Sequence, residues 1–361
     1  LGAYFSATGI NKVNLDTAVA TVSASGATSG ITFVSSAAIN EVVTGGLGDD
    51  VFEIDGVLTA ADTFVGGPGS DTLLLDNSGG ALTLTAGMGA AGLSNTTGIS
   101  GIEKITFKDA DGSSASTSQN VSITLDGESI TGIDSTNSTD DTDVLIAIDG
   151  SVITDSNDAV TANASDIGDP DYIFTITGGA GGDTLKGGGG ADTIKGGAGA
   201  DTIEGNGGAD TIDGGTGVDT ITGGAGQDTI TTGTGKDIIN YTFGGSDSTL
   251  SKPDTISDFT TGDDTIRFAY TAPEGAETLD FTFKGATPNV SEGIGLLSSV
   301  KGQYVFNTST NTALFDNGNL GLLQANDVGI KLTGVSTLAD GDIAFDVTTN
   351  AANGGAADTV T

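Results

Sequence analysis

The chain has 361 residues, 60 of them glycine, and sets 48 acidic side chains against 11 basic ones, a formal net charge of −37 at pH 7. That balance makes nucleic acid and anionic membranes poor partners and favours cations. With no cysteine and no histidine, disulfides, thiolate chemistry, a Ser-His-Asp triad and histidine zinc sites are excluded.

From the N-terminus, residues 1–109 read as a β-rich segment, with alternating stretches such as KVNLD at 12–16 and ITFV at 31–34. Within it, GGLGDDVFE (45–53) and GGPGSDTLL (66–74) are isolated copies of one glycine–aspartate phrase. They make Asp50 and Asp71 candidate metal ligands, 21 residues apart and of open register. GIEKITFKD at 101–109 alternates as a strand does. Residues 110–177 form a polar, aspartate-rich segment that keeps apolar strands at 121–125 and 144–148. A repeat segment follows at 178–245, and residues 246–361 read as a β-rich C-terminal cap. The cap contains one short predicted helix at 293–300 (GIGLLSSV) and a hairpin at 304–318. No apolar run reaches the length of a membrane helix, so membrane insertion is not expected. The first residue is Leu1 and no signal peptide is visible, which leads us to expect that an upstream piece is missing.

Residues 178–240 divide without remainder into seven nonapeptides, from GGAGGDTLK to TGTGKDIIN. Aspartate holds position six throughout: Asp183, Asp192, Asp201, Asp210, Asp219, Asp228 and Asp237. An aliphatic residue holds position eight, from Leu185 to Ile239. A fixed period of this kind means a solenoid. The first six residues make a turn and the last three a short strand. Glycines at positions one, two and four permit positive φ and leave carbonyl oxygens free to converge, and Asn206 suits such a place because Asn tolerates the left-handed region. Position eight should point inward, and the threonine column at position seven outward, as suits an exposed strand. Two nonapeptides make one coil, so Asp183, Asp201, Asp219 and Asp237 line one edge, and Asp192, Asp210 and Asp228 the other. Rungs about 4.8 Å apart set neighbouring carboxylates repelling by about 3 kcal/mol at an effective dielectric of 20. A hard divalent cation converts that repulsion into coordination, and carboxylate plus carbonyl oxygens are the ligands Ca²⁺ prefers.

These residues closely resemble the RTX family, whose G-G-x-G-x-D-x-U-x nonapeptides form a calcium-loaded parallel β-roll. The resemblance implies an all-β fold built on that roll, several Ca²⁺ ions, and ligands at the position-six aspartates with carbonyls of positions one to four, among them Gly179, Gly181, Gly196 and Gly199. Thr232 departs from the pattern at the first position of the last repeat. DTISDFTTGDDTIRF at 254–268 looks like the closing segment of many such rolls, with Asp254, Asp258 and Asp264 as candidate ligands. The family's usual export by type I secretion implies a secreted protein, with DVTTNAANGGAADTVT as the signal tail.

No catalytic set is present, so the chain is not expected to be an enzyme. The reading is an extracellular structural protein of the surface-layer kind. Its partner is further copies of itself in a lattice, and a cell-surface polysaccharide is the expected anchor. Two alternatives stand beside it: the calcium-folding and secretion portion of a larger adhesin, or that of an enzyme whose catalytic domain lies upstream.

Overall fold

A computed structural model describes residues 11–15, 21–35, 41–55, 63–76, 82–84, 99–108, 120–125, 144–168, 170–242, 247–249, 252–271, 283–287, 304–307, 312–315, 328–339 and 341–348. These residues form 28 strands and, among themselves, no helix. The short helix predicted at 293–300 and the last thirteen residues of the predicted signal tail, 349–361, lie outside them. Two compact units, Leu1–Gly199 and Ala200–Thr361, make up the chain.

In the first unit the chain alternates between facing sheets. One sheet carries Lys12–Leu15, Thr32–Ser35, Val51–Asp55, Thr72–Asp76, Lys104–Lys108, Val144–Asp149, Tyr172–Thr177 and Thr193–Ala198, every neighbour parallel. The returns run through Thr21–Ser23, Val42–Thr44, Thr63–Val65 and Ile99–Ser100, and further on through Leu82–Leu84, Val121–Thr124, Val160–Asn163 and Thr184–Lys186. Coiling therefore begins near residue 12, far upstream of the nonapeptides. Asp50 and Asp71 stand one coil apart in this ladder, since Val51 pairs with Thr72, which settles their register.

The second unit repeats the plan. Thr202–Gly207, Thr220–Ala225, Ile238–Thr242, Thr265–Thr271 and Ile343–Thr348 stack in parallel as one sheet. The facing sheet runs Thr211–Thr216, Thr229–Thr231, Asp254–Ile256 and Val328–Leu332, also parallel. It then turns antiparallel through Thr312–Phe315 and Tyr304–Asn307, the expected hairpin.

The core follows from period-two burial on these short strands. Ile203, Ile221, Ile239 and Ile266 form one inward column and Ile212, Ile230 and Ile256 another, all essentially inaccessible to water. Fully burying each such side chain contributes about 1.5–3 kcal/mol. The N-terminal coils are longer, with steps of 19 and 21 residues against 18 in the repeats, and the wider interior is filled by Phe33, Phe52 and Phe64. Phe33 stacks on Phe52 at 5.3 Å, and Phe64 meets Phe52 edge-on at 5.7 Å.

Truncating an inward rung should open a cavity that a stiff stack closes poorly. Ile221→Ala is expected to cost about 2–5 kcal/mol, whereas Val218→Ala, on a turn residue 54% exposed, should change stability by no more than about 0.5 kcal/mol. Denaturant unfolding of both variants in calcium buffer measures the difference.

Candidate metal centre

The position-six aspartates sit at the turn immediately before each strand and are buried despite their charge. A buried carboxylate needs partners, and these find them in the coil next door. Asp219 Oδ1 accepts the Asp201 backbone N–H at 2.9 Å, Asp237 Oδ1 that of Asp219 at 2.9 Å, and Asp264 Oδ1 that of Asp237 at 3.1 Å. On the other edge Asp228 takes the N–H of Asp210, and Asp254 that of Asp228, both at 2.9 Å. The same step occurs in the first unit: Asp50 receives Ile31, Asp71 receives Asp50, Asp183 receives Val160 and Asp192 receives Phe174, each at 2.7 Å. Each of these carboxylates thus secures an amide of the coil before it.

The glycines divide into two jobs. At positions two and four they supply backbone that L-residues avoid: Gly215, Gly217, Gly224 and Gly226 have φ of 100°, 141°, 101° and 155°. Asn206 adopts φ 73° at a position-two site, as its residue type suggested. Position one differs from expectation. It is not left-handed in the repeats; glycine is needed there for space. A Cβ on Gly205 would collide with Asp210 Oδ2 and the Gly223 carbonyl oxygen, and one on Gly214 with the Thr232 carbonyl oxygen, with Asp219 Oδ2 at 2.8 Å. The carboxylate of one coil and the first carbonyl of the next therefore converge over a face without Cβ.

One motif takes two turn forms, a difference that the sequence repeat conceals. In the closed form the position-two N–H turns in and binds the aspartate's second oxygen. Gly179 donates to Asp183 at 2.6 Å, Gly188 to Asp192 at 2.7 Å, and Gly46 to Asp50. Gly179 and Gly181 are not among the positive-φ glycines of these turns. In the open form, positive φ at positions two and four turns that N–H away. Asp71, Asp219, Asp228 and Asp237 each keep a buried Oδ2 with no hydrogen-bond partner. The turn that begins at Gly196 also has positive φ, at Gly197 and Gly199.

Among the closing aspartates, Asp254 extends the Asp210–Asp228 edge and retains an unpartnered Oδ2. The buried Tyr241 hydroxyl lies beside it without closing a hydrogen bond of accepted geometry. Asp264 extends the other edge in the closed form, with Oδ2 accepting Thr260 N–H at 2.7 Å. Asp258 does something else. It clamps the last turn, taking the N–H groups of Thr232 and Gly233 at 2.8 and 2.9 Å and the Thr232 hydroxyl at 3.1 Å. Thr232 is thereby accommodated, with its carbonyl kept beside Asp219. Two rungs escape motif reading. Asp342 accepts Gly262 N–H at 2.8 Å and Ala339 N–H, and Glu103 accepts Asp71 N–H at 2.8 Å. The ADGD stretch at 339–342 was a faint signal for the first, while a glutamate without a glycine turn gave none for the second.

Burial is the main reason these carboxyls sit above their usual 3.8, opposed by the backbone N–H donors. Asp183, Asp192, Asp228 and Asp237 rise to about 6. Asp71 reaches about 7, with Asp50, Glu103 and Asp49 adding repulsion, and Asp254 about 8, with Asp228 and Asp247 adding theirs. Among the described residues no three acidic side chains meet at one point. A cation here must therefore draw on one or two carboxylates together with main-chain carbonyls. Oxygen-only donors of this kind, uncommitted and sheltered from water, fit a hard ion that accepts many ligands.

The model of the RTX calcium-binding nonapeptide repeat, in four copies, matches residues 59–77, 177–212 and 204–239. These segments are RTX calcium-binding repeats. Several Ca²⁺ ions are their cofactor, and the roll they build is structural rather than catalytic. No curated protein matches the chain.

The raised carboxyls set the pH response of the calcium-free RTX roll. A group with a higher pKa folded than unfolded stabilises the fold below its unfolded value and loses that contribution as pH climbs through the folded value. Calcium-free protein should therefore retain less β structure at pH 8 than at pH 5.5, the loss falling between about 4 and about 8. Saturating calcium should reverse the order, because the ion needs the deprotonated form. Circular dichroism at both pH values, with and without chelator, checks this.

Proposed function

We propose that this is an extracellular, calcium-folded structural protein whose coils associate with further copies into a surface-layer lattice. The observation that carries the reading is the ladder itself. In both units parallel coils stack buried carboxylates, and at the open turns each leaves an oxygen without a protein partner, as at Asp71, Asp219, Asp228 and Asp237. The charge of −37 acts the same way between molecules, keeping copies apart until cations neutralise it.

In this proposal the ions sit at the open turns. Asp219, Asp228, Asp237 and Asp254 supply carboxylate oxygens, Asp201 and Asp210 occupy turns of the same kind, and position-one carbonyls complete the donor set. Asp50, Asp183, Asp192 and Asp264 hold closed turns through backbone N–H groups, and Asp258 braces Thr232. Proteins with such repeats typically leave the cell by type I secretion. Extracellular modules bind calcium at roughly 10⁻⁴–10⁻³ M, which suits a chain that stays unfolded inside the cell and folds outside. Each site held at about 100 times its dissociation constant adds about 2.7 kcal/mol. No helix among the described residues is long and apolar enough to cross a membrane. Attachment through a cell-surface polysaccharide is part of the same proposal.

Calcium should therefore control folding and then assembly. Circular dichroism should show β signal appearing with calcium and lost on chelation. Electron microscopy in millimolar calcium should show two-dimensional arrays that disperse with chelator. Calcium-loaded, folded protein that stays monomeric at high concentration would overturn the lattice reading.

A further inference from the structure

Glu103 lies 32 residues beyond Asp71, outside every matched repeat, yet it stands where the next position-six aspartate belongs. Its strand, Lys104–Lys108, pairs with Thr72–Asp76 in register, Lys104 opposite Thr72. Its Oε2 accepts the Asp71 N–H at 2.8 Å, as Asp71 Oδ1 accepts that of Asp50 at 2.7 Å. Two residues before Glu103, Gly101 is left-handed with φ 61°.

The turn facing this rung has the open form. Gly67 and Gly69, at positions two and four, have φ of 106° and 148°. Asp71 is fully buried, and its Oδ2 has no hydrogen-bond partner. That oxygen aims into the space above Gly66, where a Cβ would collide with both it and the Gly101 carbonyl oxygen. The same pair, an aspartate Oδ2 and the first carbonyl of the following coil, frames Gly205 in the nonapeptide roll. Asp50, one coil back, is closed by Gly46, so the open position falls between Asp71 and Glu103. The Lys104 ammonium binds Asp149 at 2.8 Å and that of Lys12 lies 3.7 Å from Glu53.

We infer that the Gly66–Asp71 turn and the Gly101–Glu103 turn together form a calcium site on the N-terminal coils, with Asp71 Oδ2, the Gly101 carbonyl and the Glu103 carboxylate as ligands. The inference rests on the calcium reading of the roll; what it adds is that Gly101 and Glu103, on a coil that carries no nonapeptide, complete a site begun by the matched repeat at 59–77. It gives the wide, phenylalanine-filled part of the fold its own metal requirement.

Calcium bound per full-length chain, counted by equilibrium dialysis and resolved by calorimetric titration, tests the site. Glu103→Gln keeps an acceptor for the Asp71 amide and nearly the same shape but removes the charge. It should lose one ion or weaken one site by roughly tenfold or more. Asp219→Asn serves as the control in the nonapeptide roll. A loss in Asp219→Asn with wild-type binding in Glu103→Gln overturns the N-terminal site and leaves the roll reading standing. Unchanged binding in both overturns both. Should Glu103→Gln fail to fold, wild-type crystals grown in calcium decide the matter. An ion at about 2.3–2.6 Å from Asp71 Oδ2 and the Gly101 oxygen supports the site, and its absence there refutes it.

Discussion

The step that the rest of this structure depends on is the bond from a backbone N–H in one coil to a buried carboxylate in the next. It ties coil to coil at the turn, where the strand ladder ends and where strands as short as Thr229–Thr231 offer few bonds of their own. It also places a charge where water cannot reach it. Burying a carboxylate with only some of its lone pairs satisfied is costly, and the raised pKa values of Asp71, Asp228 and Asp254 are that cost expressed as proton affinity. The fold thus contains its own demand for a positive partner. A proton meets it in acid and calcium meets it outside the cell.

How that demand is met depends on a single peptide orientation. When the position-two residue lies in ordinary backbone space its N–H closes the second carboxylate oxygen, and the turn is complete without an ion, as at Asp183 and Asp192. When it is left-handed the N–H turns away and the oxygen is left for a cation, as at Asp219 and Asp228. The neighbouring coil biases the choice. The Gly179 turn packs on an irregular turn, Ala180 donating its N–H to Ile153 O, whereas the turns at Gly224 and Gly233 each stack on another glycine turn. A turn stacked on another glycine turn takes the open form even where that neighbour is closed, as Gly67 does on Gly46 and Gly197 on Gly179. Metal binding in such a stack depends on the neighbour as well as on the motif.

Coils of different length share this scheme. The 18-residue coils of the nonapeptides carry isoleucine inside, and the coils of 19 to 21 residues near the N-terminus carry stacked phenylalanines. The carboxylate rung remains in both because it belongs to the turn and is independent of core width. Coils of unequal length, such as those ending at Asp50, Asp71 and Glu103, therefore stack in one ladder.

The nonapeptide array was legible because each position has one physical demand and few residues meet it. Aspartate before the strand, an inward isoleucine and an asparagine at φ 73° followed from residue chemistry alone, as did the 18-residue stacking within each unit and the all-β class. Composition alone ruled out thiol and histidine chemistry. What the local pattern could not specify was anything decided by the adjacent coil. That Gly205 serves space and not φ, that Asp258 braces Thr232 while Asp254 carries the edge onward, and that Glu103 and Asp342 act as rungs all depend on contacts 18 to 80 residues away in the chain. The coiling of residues 12–108 was hidden for the same reason. Its turns differ in length, so no period marks them, and only the pairing of Lys12 with Thr32, and of each later strand with the next, brings them into register.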